Sequence, residues 1–163
     1  MRIITTLFAL MLFLFSAPIW AQETETLMLS GAAPEDDVLW DFYCTDGRKS
    51  GEWSKIRVPS CWETEGFGTY NYGHDQNKAS EKGIYRTTFK VPKSWKDKRV
   101  FVVFEGSMTD TKVKLNGKQA GTVHQGSFYR FKREITAVEI SQLKTGSVQF
   151  ETDEFIKPQT TIE

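Results

Sequence analysis

The stretch from residue 100 to residue 131 most constrains what this chain can fold into. Residues 100–104 (VFVVF) form an apolar run that is too short for a globular helix and rich in β-branched and aromatic residues. Such a run is typical of a strand buried on both faces. In residues 112–115 lysines alternate with apolar residues, and Asn116-Gly117 follows, which predicts a β-hairpin with a type I′ turn. A buried strand followed by a hairpin predicts a two-layer antiparallel β domain.

The rest of the chain supplies further short strands between turn residues. The predicted strands span residues 38–44, 53–58, 83–91 and 147–150, and the return arm of the hairpin spans 118–123. A short turn or 3₁₀ segment is predicted at 94–97, and a helical or irregular turn within 130–140. Regularly spaced strands, little helix and many glycine turns predict an all-β antiparallel sandwich or jelly roll.

The N-terminal segment has the pattern of a signal peptide. Arg2 supplies a basic start, residues 7–15 form an apolar core, and Ala21 offers a small residue for cleavage. The alternative is a membrane anchor, but the apolar stretch is short for a full span. We therefore predict an exported protein, periplasmic or secreted, with no membrane contact after cleavage. Residues 22–37 then form a polar, partly disordered arm, and residues 38–163 form one domain.

The charge balance limits the kinds of ligand. Removing residues 1–21 takes away one base and no acid, so 21 − 1 = 20 bases face 21 acids. A near-neutral domain does not bind nucleic acid or a membrane surface through its net charge. Aromatic residues make up 13% of the chain, and rings that the core does not bury are suited to stacking on sugar faces. The alternative for each ring is ordinary core packing.

Cys44 and Cys61 are the only cysteines. In an exported domain they are either a disulfide, which contributes about 3 kcal/mol in the entropic model, or two separately buried thiols. The sequence has no cluster of cysteine and histidine with metal-ligand spacing, so we predict no zinc and no cofactor.

Seven short motifs follow one another along the chain. They are VPSCWE at 58–63, GTYNY at 68–72, GIYRTTFKVP at 83–92, Trp95, FEG at 104–106, VKLNGKQAG at 113–121 and HQGSF at 124–128. Their order and spacing resemble the N-terminal sugar-binding domain of glycoside hydrolase family 2, the β-galactosidase and β-glucuronidase family. The resemblance covers nearly all of the mature chain. It is greatest to exported members from polysaccharide-degrading bacteria of the Bacteroides type.

The resemblance implies a galactose-binding-like jelly roll that packs against an immunoglobulin-like domain and a catalytic TIM barrel. In the family the barrel carries both catalytic glutamates, and such a barrel alone needs about 250 residues. The expected function is therefore that of a carbohydrate-binding domain without the barrel, inactive alone, which supports exo-glycosidase action in polysaccharide breakdown. Two alternatives remain open: a stand-alone lectin-like module, and a chain that is itself a hydrolase.

The predicted substrate-binding residues lie in one loop. Tyr70 and Tyr72 offer rings for stacking, and Asn71 offers both a donor and an acceptor to sugar hydroxyls. By resemblance, Asn71 matches an asparagine that reaches the substrate pocket of the barrel. His74 with Asp75 is either a base and its orienting carboxylate or a surface turn. The alternative for the whole loop is a packing role.

A second set of polar residues follows the buried strand. Glu105 and Asp110 are the nearest approach to a glycosidase carboxylate pair, but we favour a structural role for Glu105 at a strand end. His124 is expected to be a satisfied structural histidine, with contact to a ligand or partner domain as the alternative. Arg130 is a candidate for stacking on an aromatic ring. Calcium is common in sugar-binding jelly rolls, but no Asp-rich loop predicts it here.

Overall fold

The structure is a computed structural model, and it describes residues 24–31, 35–69, 81–95, 97–107, 110–126, 129–135, 146–152 and 160–162. The predicted signal peptide lies outside these ranges. Within them, no helix has the length and apolar character that a membrane crossing requires.

The described residues form short strands and a single 3₁₀ turn. The strands are β1 Leu27–Met28, β2 Val38–Cys44, β3 Trp53–Val58, β4 Gly83–Phe89, β5 Phe101–Phe104, β6 Lys112–Leu115, β7 Lys118–Gln119, β8 Phe131–Glu134, β9 Gly146–Thr152 and β10 Thr160–Ile162; the 3₁₀ turn is Lys93–Trp95.

The strands form two antiparallel sheets. One has four strands in the order β1-β10-β5-β8, and the other has six in the order β3-β2-β4-β9-β6-β7. Every described pair of neighbouring strands runs antiparallel. The prediction of an all-β antiparallel sandwich is confirmed.

The core follows from strand alternation. In β2, β3, β4 and β6 of the large sheet, buried residues alternate with more exposed ones over most of the strand. These buried residues include Trp40, Phe42, Ile56, Val58, Tyr85, Phe89, Val113 and Leu115. At the centre, the Phe42 ring makes edge contacts with Trp62 at 5.6 Å and Phe67 at 4.7 Å. Such aromatic pairs each contribute about 0.5–1.5 kcal/mol beyond their buried area.

The stretch that the sequence singled out has the predicted conformation. Val102 and Phe104 on one face of β5, and Val103 on the other, are all buried. Asn116 and Gly117 have φ values of 50° and 80°, as a type I′ turn requires. The return arm is shorter than predicted, because β7 contains only Lys118–Gln119.

Three strands occur where none was predicted: β1, which lies in the predicted arm, and β8 and β10. β8 replaces the predicted helical or irregular turn over Phe131–Glu134, because Phe131 pairs with Phe104 and stacks on its ring at 4.6 Å with the rings 5° from parallel. β10 lies within the final residues 155–163, which show the least resemblance to the family. Its residues Thr160–Ile162 pair with both β1 and β5. β8 and β10 both depend on partners distant in sequence.

The N-terminal arm is fixed to the sandwich over residues 24–31. The Glu25 carboxylate accepts hydrogen bonds from Lys98 Nζ at 2.5 Å, Ser94 Oγ at 2.9 Å and Trp95 Nε1 at 2.8 Å. These bonds, led by the one from Lys98, lower the pKa of Glu25 to about 2. The arm is therefore held against the sandwich at Glu25.

Candidate ligand-binding end of the sandwich

The pairing register gathers several loops at one end of the six-stranded sheet. Cys44, the last residue of β2, pairs with Gly83, the first residue of β4, and Gly83 pairs with Thr152 of β9. One residue earlier on β9, Glu151 pairs with Lys112, the first residue of β6. The end of β2 and the starts of β4 and β6 therefore lie side by side. We call this the loop end of the sandwich.

Both flanks of the predicted sugar-binding loop are held at the loop end. Glu81 is only 6% exposed, and its Oε2 accepts a hydrogen bond from the backbone N–H of Thr69 at 2.9 Å. The backbone N–H of Lys82 donates to Thr45 Oγ1 at 2.7 Å, and the N–H of Thr45 donates to Lys82 O at 3.0 Å. The two residues that flank positions 70–80, Thr69 and Glu81, are thus hydrogen-bonded to each other.

A short bridge completes this base. The backbones of Arg48 and Gly68 exchange hydrogen bonds of 3.1 and 2.9 Å, and Arg48 Nε donates to Gly68 O at 2.9 Å. Gly68 has a φ of 63°, and a Cβ there would lie 2.7 Å from Glu81 Oε2. Only glycine fits both the backbone angle and the space beside the buried carboxylate. We call residues 45–48, 68–69 and 81–82 the loop base.

The predicted substrate-binding residues Tyr70, Asn71, Tyr72 and His74 lie outside the described residues. Their assignment therefore stays a prediction. What the structure adds is the position of their flanks, Thr69 and Glu81, at the loop end.

The second set of predicted polar residues also lies at the loop end. Glu105 follows Phe104, and Arg130 precedes its strand partner Phe131. The two side chains form an ion pair, with Arg130 Nε 3.0 Å from Glu105 Oε1. Asp110 Oδ1 accepts a hydrogen bond from Gln125 Nε2 at 3.0 Å. Each carboxylate therefore has its own side-chain partner. We call residues 105–107, 110–111, 124–126 and 129–130 the rim.

His124 has a structural role in the rim, as expected. Its ring stacks on Phe131 with centroids 3.8 Å apart and planes 15° from parallel, and its Nε2 lies 2.9 Å from Gly126 O. Its backbone exchanges hydrogen bonds of 2.9 and 3.0 Å with Thr111. The neighbouring Tyr129 is 71% exposed. Tyr129 is thus an aromatic ring that the rim presents to solvent.

Two residues of the loop base were not predicted from the sequence. The polar composition of residues 75–82 predicts an exposed segment, yet Glu81 within it is buried and accepts a hydrogen bond from the backbone N–H of Thr69. Arg48 lies in a turn where nothing distinguishes it from other surface bases. A glutamate two residues before a strand carries no local sign of burial, so only the tertiary contact identifies it.

Cys44 and Cys61 are both free in the structure, so the disulfide that the sequence left open is not formed there. Cys44 Sγ donates to Asp46 O at 3.0 Å, and Cys61 Sγ lies 3.9 Å from Glu63 Oε2. Burial raises the pKa of the Cys44 thiol. Among the described residues, no three His, Cys, Asp or Glu side chains form a group that could hold a metal ion.

Comparison with known proteins gives a consistent result. No family model matches the chain. A β-galactosidase of Thermoanaerobacter pseudethanolicus is 42% identical over 52 residues, which is 32% of this chain and 7% of that protein. A β-glycosidase from Bacteroides vulgatus has a TM-score of 0.62 at 20% identity, and the match covers 86% of this chain and 20% of that one. A β-D-mannosidase from Dictyoglomus thermophilum has a TM-score of 0.53 at 26% identity, covering 81% and 16%.

The chain resembles one domain of the family 2 glycoside hydrolases. The resemblance that the sequence motifs indicate is thereby confirmed for the domain. The chain spans about a fifth of the first solved structure that it matches, and 7% of the curated β-galactosidase.

Proposed function

We propose that this chain is the carbohydrate-binding domain of an exported family 2 glycoside hydrolase of the β-galactosidase type. The observation that carries the proposal is the loop base, which fixes both flanks of the loop over residues 70–80 at one end of the sandwich. The short sequence match to a β-galactosidase supports the choice of enzyme class.

A fixed base favours sugar binding because preorganised flanks reduce the entropy that binding costs. The rings of Tyr70 and Tyr72 stack on the C–H faces of the sugar, while the Asn71 amide bonds hydroxyl groups. His74 adds a further ring nitrogen. At the same end of the sandwich, Tyr129 in the rim offers another exposed ring.

The chemistry of hydrolysis is assigned to other domains. Glu105 pairs with Arg130 and Asp110 accepts from Gln125, so neither is placed as a glycosidase acid or nucleophile. The loop end forms one wall of an exo-acting pocket, and a TIM barrel supplies the two catalytic glutamates. An immunoglobulin-like domain is the second partner, and the peptide over residues 1–21 directs export.

The test is a calorimetric and NMR titration of the chain with methyl β-galactoside. We expect weak, saturable binding in the millimolar range, which is about −4 kcal/mol, because the barrel supplies the rest of the pocket. Backbone amides of Thr69 and Lys82 should shift. Asn71→Ala should abolish the shifts, whereas Gln119→Ala, which removes an exposed amide on β7, should leave them unchanged.

Other outcomes contradict parts of the proposal. Micromolar affinity for a free sugar would favour the stand-alone lectin-like module. Absence of saturable binding, or equal loss in both variants, would contradict a sugar-facing loop. Turnover of nitrophenyl β-galactoside that disappears with Glu105→Gln would show that the chain is itself a hydrolase.

A further inference from the structure

Positive charge is concentrated on the outer face of the six-stranded sheet. At positions that alternate with the buried ones, the described strands carry five cations: Lys55 and Arg57 on β3, Arg86 on β4, and Lys112 and Lys114 on β6. The acids at these positions are Asp41 on β2 and Glu151, which pairs in register with Ile84 and Lys112. The whole chain has 21 basic and 21 acidic residues, so this excess is local.

Arg86 is the best placed of these cations to bind an anion. Its guanidinium reaches across β2 and lies 4.1 Å from the centroid of the Trp53 ring. Tyr43 pairs with Trp53 and supports it from the side, with ring centroids 5.5 Å apart. The contact with Trp53 positions the guanidinium over the ring, and no hydrogen bond or ion pair with another described residue engages its N–H donors, which leaves them available to an anion.

The two cations on β3 are partly neutralised by nearby carboxylates. Lys55 Nζ lies 2.6 Å from Asp41 Oδ1, and Arg57 Nε lies 3.2 Å from Asp37 Oδ2. Lys55 and Arg57 therefore contribute mainly to the positive electrostatic potential of the face and less to direct hydrogen bonds with a ligand. Arg86, in contrast, combines positive charge with a preorganised planar fork that fits a carboxylate or a sulfate.

The dimensions of the face favour an extended ligand. From β3 to β6 there are four interstrand steps, which is roughly 19 Å at the usual strand spacing. A single sugar would cover only part of this distance. Trp53 is 44% exposed and offers a ring surface at the edge of the face, as sugar binding requires. An acidic protein surface would meet the same charges but would leave the ring contacts unused.

We propose that the outer face of the six-stranded sheet binds an acidic polysaccharide, with Arg86 receiving a carboxylate or sulfate while Trp53 and Tyr43 contact the sugar rings. None of Arg86, Trp53 and Tyr43 belongs to the loop base or to the rim, so this proposal can be tested independently of the function proposed above.

The experiment measures retention of the full chain in affinity electrophoresis against polygalacturonate, a sulfated galactan and a neutral galactan. We expect retention by at least one acidic polymer and none by the neutral one. Arg86→Gln should weaken binding about tenfold or more, since hydrogen bonds to charged groups are the strong ones. Trp53→Ala should weaken binding as well.

The matched control is Arg99→Gln, which also removes one exposed arginine that lies over an aromatic ring, 5.0 Å from Phe101. Phe101 belongs to the other sheet. We expect this variant to bind as the parent does. Equal loss in both variants would show binding by net charge alone and would overturn the proposal. Equal retention by poly-L-glutamate would overturn it in favour of an acidic protein surface, and failure to bind either acidic polymer would refute it outright. Preference for the uronate or for the sulfated polymer identifies the anion.

Discussion

Adding a methyl group at Gly83 should destabilise both the core and the loop end. It is the first residue of β4, and it pairs with Cys44. A Cβ at this position would lie 2.1 and 2.3 Å from two atoms of the Trp62 ring and 2.9 Å from Phe42 Cε2. Both rings are buried, so neither can move away without displacing other core residues.

We expect Gly83→Ala to lower the free energy of unfolding by about 3 kcal/mol, the upper end of the usual range for overpacking. For a domain of this size that is a fall in melting temperature of roughly 6–12 °C. Urea unfolding followed by tryptophan fluorescence measures the change. Since Trp62 O accepts the N–H of Phe67 at 2.9 Å, protection of the Thr69 amide against hydrogen exchange should also fall.

Two controls separate the steric cause from others. Gly117→Ala adds a methyl group in open space at a φ of 80°, so it should cost only about 1–2 kcal/mol through the backbone. In a Trp62→Leu background the cost of Gly83→Ala should fall to about 1 kcal/mol, because the two shortest contacts are gone and only the one with Phe42 Cε2 remains. The reasoning fails if Gly83→Ala is within about 0.5 kcal/mol of the parent, or if its cost is the same in both backgrounds.

Three further predictions concern titratable groups. The pKa of Glu25 falls from 4.5 to about 2 on folding, so its stabilising contribution is complete above pH 4.5 and is lost as the pH falls towards 2; between those values the urea midpoint of the parent should fall more steeply than that of Glu25→Gln. Tyr85 has a buried hydroxyl with no hydrogen-bond partner in the described ranges. Tyr85→Phe should therefore leave the free energy of unfolding unchanged or raise it by up to about 1 kcal/mol, and a fall in that free energy would show that the hydroxyl has a partner. Without reductant, a thiol reagent should label Cys61 in the folded chain and the fully buried Cys44 only in urea; no labelling in urea would indicate a disulfide.

Local sequence signals predicted the strands well where the strand itself carries the pattern. The bounds of β2 and β3 match the prediction, because the signals lie within each segment: Trp40 and Phe42 share one face of β2, and Pro59 ends β3. The Asn116-Gly117 turn is equally local. In contrast, β8 and β10 have weak patterns of their own and depend on pairing with β5, which lies far away in sequence. A prediction from one segment at a time does not include that pairing.

The candidate site shows the same division. The sequence identified the aromatic loop and the polar residues of the rim, since both combine residue types suited to sugars or to carboxylate chemistry. It did not indicate that Glu81 is buried or that Arg48 pairs with Gly68, since both contacts join segments whose separation in space is unknown from sequence. It also gave no reason to place the loop base and the rim at one end, which follows only from the register of β4, β9 and β6.

The charge of the outer face makes the limit of composition clear. A balance of 21 bases and 21 acids argues against recognition by net charge, but it says nothing about how those charges divide between faces. Strand alternation alone assigns Lys55, Arg86 and Lys112 to the solvent-facing side of their own strands. Only the strand order shows that those three strands belong to one sheet, so that their solvent-facing sides form a single basic face. The comparison of Arg86→Gln with Arg99→Gln decides whether charge on this face contributes to binding, because the two variants have the same net charge and differ in the face they alter.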